Sequence, residues 1–201
     1  MKDIESWEIK GKVLEYIDET HTYIYDGLVL PSVTQILKTK FANKYSGISE
    51  EILKRASELG TITHEAIELY EKEGKESDIK ELRNYKFLKK AYKFECLDNE
   101  VPIVLFKDDV PVAAGRLDLV LKEGEEVGLA DIKRTATLDK EYLAYQLNLY
   151  KIAYQQCYDK EIKFLKALHL RNDTRKYVPI PINEGMAMEL LNEYLGGKEN
   201  G

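Results

Sequence analysis

Cysteines and long apolar runs are scarce in this 201-residue chain, and each scarcity excludes a class of protein. The two cysteines, Cys96 and Cys157, are too few for a disulfide framework and lack the CxxC or Cys/His spacing of a zinc site. No apolar run approaches the ~20 residues that a membrane-spanning helix needs, and no apolar segment follows Met1-Lys2 as it would in a secretory signal. We therefore expect a cytoplasmic protein with no membrane partner.

An excess of positive charge is also lacking, since 30 Lys and Arg against 36 Asp and Glu leave a net charge of −6. This argues against a large non-specific duplex-binding surface, because phosphate neutralisation supplies most of such affinity. Two basic stretches, residues 84–93 and 160–176, could still follow a nucleic-acid backbone, with aromatic rings stacking on bases. Alternatively, Tyr85, Leu88 and Tyr92 are the core stripe of an amphipathic helix whose lysines face solvent.

The hydrophobic pattern predicts a single domain over residues 1–201, with its core in about residues 49–182. Residues 1–48 are expected to form strands at 12–16 and 22–30 and a short helix capped by Ser32. The core is predicted to contain helices at 49–71, 77–96, 138–158 and 183–194, strands at 101–106, 110–121, 128–133, 163–170 and 177–182, and a frayed tail from Gly196-Gly197. This order predicts an α/β fold with a mixed central β-sheet flanked by helices.

Two aspartates lie inside predicted strands, where Asp is normally depleted. Asp118 ends the run Gly-Arg-Leu-Asp, and Asp131 opens an Asp-Ile-Lys triplet thirteen residues later. A two-residue type II′ turn at Gly124-Glu125 would take Gly at its first central position. In that register Asp118 lies directly opposite Asp131.

This register brings Asp118, Asp131 and Lys133 to the same face of the sheet, while the neighbouring apolar residues point to the other face. Two carboxylates held close together repel unless a cation lies between them, and a divalent metal such as Mg²⁺ fits that position. The alternative is a solvated Asp–Asp–Lys cluster on the sheet surface. A one-residue register slip would also separate the two acids.

An Asp followed thirteen residues later by Asp-x-Lys resembles the active-site core of the PD-(D/E)XK nuclease superfamily, and is most similar to its RecB-type branch. That branch also has a histidine on an upstream helix and a Gln-x-x-x-Tyr pair on the helix after the Asp-x-Lys strand. His64 and the pair Gln146 and Tyr150 match these features in order. The matched region covers roughly residues 60–150.

Two departures from the superfamily pattern are visible. Leu117 stands where the nominal Pro-Asp motif has its proline, and the second acid is Asp131 rather than Glu. The shorter side chain can still chelate a cation, but its reach is reduced. For the other matched positions the alternatives are a packed or surface His64, a core Tyr150 and a helix-surface Gln146.

The resemblance implies a restriction-endonuclease-like core and a metal-dependent deoxyribonuclease. It assigns one or two Mg²⁺ or Mn²⁺ ions to His64, Asp118, Asp131 and the backbone carbonyl of Ile132, and positioning of the attacking hydroxide to Lys133. Gln146 and Tyr150 would contact the phosphate or brace that lysine. Hydrolysis would leave 5′-phosphate and 3′-hydroxyl ends.

The resemblance further implies a stand-alone exonuclease of the phage or mobile-element type, acting on single- or double-stranded DNA ends. No GxxxxGK[ST] phosphate loop is present, so no motor is encoded in this chain. A single-strand annealing or recombination protein is an expected partner, and a homo-oligomer is an expected assembly. Two alternatives stay open: a catalytically silent nuclease fold that binds nucleic acid or a partner, and a site-specific endonuclease of the restriction type.

Overall fold

The computed structural model describes residues 4–42 and 46–199, the last two by backbone alone, and within them it contains two β-sheets and five α-helices. In chain order the elements are β1 (Ile4–Ile9), β2 (Lys12–Ile17), β3 (Thr22–Tyr25), β4 (Leu28–Leu30), α1 (Val33–Lys40), α2 (Glu50–Glu73), α3 (Lys80–Tyr92), β5 (Glu95–Lys107), β6 (Val110–Glu123), β7 (Glu126–Lys133), α4 (Lys140–Tyr158), β8 (Phe164–Arg171), β9 (Thr174–Ile180) and α5 (Glu184–Glu199). The predicted α/β class is confirmed.

The first sheet is a four-stranded antiparallel meander in the order β1-β2-β3-β4. The predicted strands at 12–16 and 22–30 are confirmed, and the second is divided by the turn at Asp26 and Gly27, which both have positive φ. Strand β1 was not predicted. Ser32 caps α1 in a capping box with Gln35, as its position before an apolar run indicates.

The second sheet has five strands in the order β5-β6-β7-β8-β9. Only β7 and β8 run parallel, and the long helix α4 connects them. One face of this sheet packs on a core that α1, α4 and α5 complete, and the other face packs on α2 and α3. The predicted mixed sheet with flanking helices is therefore confirmed, whereas its nuclease-like nature stays a prediction.

The predicted helix at 77–96 is wrong at its C-terminal end. Helix α3 ends at Tyr92 because Lys93 adopts a left-handed backbone (φ 56°), and Cys96 belongs to β5 instead. Tyr85 and Leu88 are buried as the amphipathic pattern indicates, but Tyr92 is 52% exposed and so does not belong to the core stripe.

The predicted tail is also wrong, because α5 continues through Gly196 and Gly197 to Glu199. Each glycine costs a helix only about 1 kcal/mol relative to alanine. The first half of α5 is anchored by buried Ala187, Leu190 and Leu191, which hold the helix in place. In the described ranges, every helix is too short or too polar to cross a membrane.

Candidate metal centre

A two-residue turn fixes the register of β6 and β7. Glu123 pairs with Glu126, and the pairing continues without a break to Leu119 and Ala130. Of the two central turn residues, Gly124 alone has a positive φ (60°), as a type II′ turn requires. The predicted register is thus confirmed as far as Leu119 and Ala130, and the next position along the two strands holds Asp118 and Asp131.

A third carboxylate, which was not predicted from the sequence, extends this row onto β5. Strand β5 pairs Asn99 with Leu119 and Val101 with Leu117, and Glu100 therefore lies beside Asp118. Glu100 has a positive φ of 50°, an uncommon conformation for a side chain of this kind. Such strain gathers at functional sites, where the surrounding structure holds it in place.

His64 reaches this carboxylate row from α2. Its Nδ1 atom lies 3.4 Å from Glu100 Oε1 and 3.8 Å from Asp118 Oδ1. The ligand atoms of His64, Glu100 and Asp118 all lie within 4.8 Å of one another. The imidazole is oriented because the buried Thr63 and Ile67 fix the same turns of α2 against the core. Glu68, one turn on, pairs with Lys72 at 2.7 Å and is not a partner of the imidazole.

The backbone of Ile132 joins the same group. His64 Nε2 donates to the Ile132 carbonyl at 3.2 Å, and the Ile132 amide donates to Asp118 Oδ2 at 2.6 Å. His64, Asp118 and Ile132, three of the four predicted ligands, are therefore brought together by direct contacts.

Asp131, the fourth predicted ligand, is paired instead with Lys133. The Lys133 Nζ atom lies 2.5 Å from Asp131 Oδ2, and Asp131 is only 1% exposed. Its Oδ1 atom has no hydrogen-bond partner among the described residues, and leaving a buried carboxylate oxygen unpaired is costly. A cation bound between Asp118 and Asp131 would satisfy that oxygen.

Burial and neighbouring charges shift the pKa values of four side chains in this group. Burial raises the pKa of Asp118 and raises the pKa of Asp131 to about 6. Burial alone would lower the pKa of Lys133, but Asp131 and then Asp118 outweigh it, and the pKa is raised. Burial likewise opposes the His64 cation, yet Asp118 and Glu100 raise the pKa of His64 to about 9. Without a metal, two cationic side chains therefore balance these carboxylates.

The donor set fits a hard divalent cation. The ligand atoms of His64, Glu100 and Asp118 lie within 4.8 Å of one another, the Ile132 carbonyl contacts the imidazole, and Asp131 lies on the neighbouring strand β7. Oxygen-rich sites of this kind suit Mg²⁺ and Mn²⁺. The unpaired Oδ1 atom of buried Asp131 points to the same conclusion. The site thus fits the metal that the sequence resemblance implies.

Helix α4 covers the sheet with Gln146 and Tyr150, which are four residues apart and share one face. Gln146 Nε2 donates to the Tyr150 hydroxyl at 3.4 Å, and each residue is 5% exposed. The alternative of a helix-surface Gln146 is therefore wrong, and its Oε1 atom has no hydrogen-bond partner among the described residues. Burial raises the pKa of Tyr150 well above its usual value, so the phenol stays neutral.

A cavity of about 300 Å³, which we term the adjoining pocket, opens beside the candidate centre. It lies between β2, β3, the start of α1, and β6. The described residues that line it include Tyr16, Tyr23, Thr34, Glu100, Arg116 and Tyr150. Glu100 thus belongs both to the carboxylate row and to the pocket wall.

Comparison with known proteins gives no family assignment. No protein-family model matches the chain, and no curated protein matches it. Among solved structures, the crystal structure of SSO0001 is similar with a TM-score of 0.44 at 15% sequence identity, covering 82% of this chain and 74% of that one. A likeness this weak carries no conclusion about function, which leaves the geometry of the site as the guide to its chemistry.

Proposed function

We propose that this protein is a metal-dependent deoxyribonuclease of the PD-(D/E)XK type, acting as an exonuclease on DNA ends. The observation that carries the proposal is the row of carboxylates Glu100, Asp118 and Asp131 on adjacent strands, with His64 at one end and Lys133 at the other. The residues that the resemblance assigns to one reaction lie together although His64 and Lys133 are far apart in the chain.

Asp118, Asp131, Glu100, His64 and the Ile132 carbonyl are the groups that would hold Mg²⁺ or Mn²⁺. A cation bound there would lower the pKa of a water molecule and neutralise charge that develops on the phosphate. The hydrogen bond of 3.2 Å from His64 Nε2 to the Ile132 carbonyl keeps these two groups next to each other, and a metal ion that took both as ligands would replace the shared hydrogen. Glu100 would add a carboxylate to the predicted set.

Lys133 is the group that would position the attacking water. Its ammonium group is held by Asp131 and keeps its charge because both neighbouring aspartates raise its pKa. A charged donor at this point can hold a hydroxide in line with the scissile bond. Hydrolysis would then leave a 5′-phosphate and a 3′-hydroxyl.

Tyr150 and Gln146 are the groups that would contact the phosphate. Because Gln146 donates to the Tyr150 oxygen, the phenol hydrogen is left to donate to a non-bridging phosphate oxygen. Such a donor is most useful where charge increases in the transition state. Neither side chain has a hydrogen bond to Lys133 among the described residues, which favours phosphate contact over bracing of the lysine.

The test is digestion of end-labelled linear DNA, single- and double-stranded, with purified protein and Mn²⁺. We expect stepwise shortening that EDTA abolishes, while circular DNA of the same sequence survives. Asp131→Asn should be inactive, whereas Asp109→Asn, the same change in the exposed turn before β6, should cleave like the wild type.

Each other outcome refutes part of the proposal. Equal behaviour of the wild type and Asp131→Asn would leave a nuclease fold that only binds nucleic acid or a partner. Discrete fragments from circular DNA would replace the exonuclease with a site-specific endonuclease.

A further inference from the structure

The adjoining pocket shares a wall with the candidate metal centre. The Oε1 atom of Glu100 lies 3.4 Å from His64, and its Oε2 atom lies 2.9 Å from Arg116 Nε inside the pocket. Tyr150 also lines the pocket. A group in the pocket is therefore separated from the carboxylate row by one side chain.

The pocket does not offer a spare cation to a phosphate. Among the described residues that line the pocket, Arg116 is the single Arg or Lys, and it is already paired with Glu100 and, through Nη1 at 2.8 Å, with Glu5. The Arg116 guanidinium also lies 5.4 Å from the centroid of the Tyr16 ring. An anion placed here would compete with two carboxylates for one arginine.

The remaining lining groups are aromatic rings and uncharged hydrogen-bonding side chains. The Tyr16 and Tyr23 rings have centroids 4.7 Å apart, and the Tyr16 hydroxyl is 2.6 Å from His21 Nδ1. The Ser32 and Thr34 hydroxyls, at the start of α1, lie 2.9 Å from each other. Rings with hydroxyls at their edges suit a flat, neutral ligand that carries both donors and acceptors.

Glycine at position 115 lines the pocket and lets the Tyr150 ring pack closely against the backbone of β6. A Cβ atom built there would lie 3.2 Å from the Tyr150 ring, closer than most side-chain contacts. The volume of the pocket, about 300 Å³, is at the lower end for ligand sites. It is sufficient for one base with its sugar and too small for a base pair.

From these contacts we propose that the adjoining pocket binds the base of one unpaired nucleotide, next to the phosphate that the candidate metal centre would hold. The inference rests on the proposed nuclease function and adds to it a base-binding subsite built by the first sheet and α1. The phosphate lies on the charged side of Glu100, and the base lies on the neutral side. Binding of an unpaired base in such a pocket relies on ring contacts that tolerate any sequence.

The experiment measures binding of a fluorescent single-stranded oligonucleotide in Ca²⁺, with a set of probes that each lack one base among the first three positions from either end. We expect one abasic position to weaken binding about tenfold, the size typical of one base–aromatic contact. In Thr34→Phe, which fills the pocket from α1, binding of the intact probe should weaken equally and the abasic penalty should disappear.

Thr39→Phe is the matched control, because Thr39 is an exposed threonine near the other end of α1 and does not line the pocket. It should retain both the affinity and the abasic penalty. Crosslinking of the wild type with an iodouracil probe supplies a measurement that needs no variant to fold. The crosslinked peptide should contain Tyr16 or Tyr23.

The two proposals fail in different ways. If the wild type digests DNA but no abasic position matters, and crosslinks map outside β2 and β3, the base subsite is refuted and the nuclease stands. If Mn²⁺ produces no digestion while the abasic penalty and its loss in Thr34→Phe remain, the nuclease is refuted and the base-binding pocket stands.

Discussion

Two neighbouring regions that meet at Glu100 are built from opposite chemistry. On one side, Asp118, Asp131, His64 and Lys133 form a cluster of partly buried charges. On the other side, the adjoining pocket consists of tyrosine rings and hydroxyls around an arginine that two glutamates already neutralise. The charged region can hold a cation and a phosphate, and the neutral region can hold what is attached to that phosphate. Substitutions in the charged region should therefore change metal binding and DNA cleavage, whereas substitutions in the adjoining pocket should change the binding of an unpaired base.

The largest expected effect is a loss of DNA cleavage without a loss of metal affinity, from a substitution in the charged region. Lys133→Ala removes the ammonium group that would position water, so DNA cleavage should fall by at least about 10³-fold. Mn²⁺ affinity should not fall, because a cation that competes for Asp131 is removed. Cleavage kinetics and calorimetry measure the two effects.

Lys122→Ala is the matched control for Lys133→Ala, since Lys122 is a lysine of β6 whose nearest partner is the exposed Glu125 at 3.7 Å. It should change neither cleavage nor Mn²⁺ affinity. Cleavage by Lys133→Ala at the wild-type rate would remove the lysine from the mechanism.

The second prediction uses the pH dependence of stability without metal. The folded-state pKa of His64 is raised from 6.5 to about 9, so its contribution is complete below pH 6.5 and is lost as pH rises through 9. Between pH 7 and 9.5 the wild type should lose about 2 kcal/mol of unfolding free energy more than His64→Gln. Urea unfolding in EDTA at both pH values measures the difference, and parallel losses would show that the imidazole is not charged by its neighbours.

A smaller effect is expected at the boundary between the regions. Glu100→Gln keeps the shape of the side chain but removes its charge, so Mn²⁺ affinity should fall about 10- to 100-fold. Glu8→Gln is the control, since Glu8 is an exposed residue of the first sheet. If calorimetry gives the wild-type affinity for Glu100→Gln, Glu100 is not a metal ligand. The ligands are then only the predicted ones: His64, Asp118, Asp131 and the Ile132 carbonyl.

The smallest effect concerns helix α4. Tyr150→Phe removes one neutral donor while the ring still lines the pocket, so cleavage should fall about tenfold, as for the loss of one hydrogen bond to a charged oxygen. Mn²⁺ affinity should be unchanged. If the loss of cleavage is accompanied by an equal loss of metal affinity, Tyr150 acts through the metal ligands rather than on the phosphate.

The parts of the site that could be predicted from the sequence depend on local rules. The glycine of a two-residue turn sets the register of β6 and β7, and that register alone places Asp118 opposite Asp131. Helical spacing brings Gln146 and Tyr150 onto one face. These relations involve residues at most thirteen positions apart, and short-range geometry determines them.

Glu100 and the adjoining pocket could not be predicted in this way. Strand β5 begins where a helix was expected, and its pairing with β6 shifts between Cys96 and Asp98, so counting along the chain does not give the partner of Glu100. The pocket depends on how the first sheet and α1 pack against β6, which no local pattern specifies. The sequence did contain one indication that Glu100 belongs to the site, because this acid directly precedes the apolar run that begins at Val101.

Calorimetric titration of metal-free protein with Mn²⁺ at pH 8, comparing the wild type with Asp118→Asn, measures the proposed metal centre itself. We expect binding by the wild type and at least a hundredfold weaker binding by the variant, because the central carboxylate of the row is lost. Equal affinities, or no binding by either protein, would contradict a metal centre on these strands and the phosphodiester cleavage that depends on it.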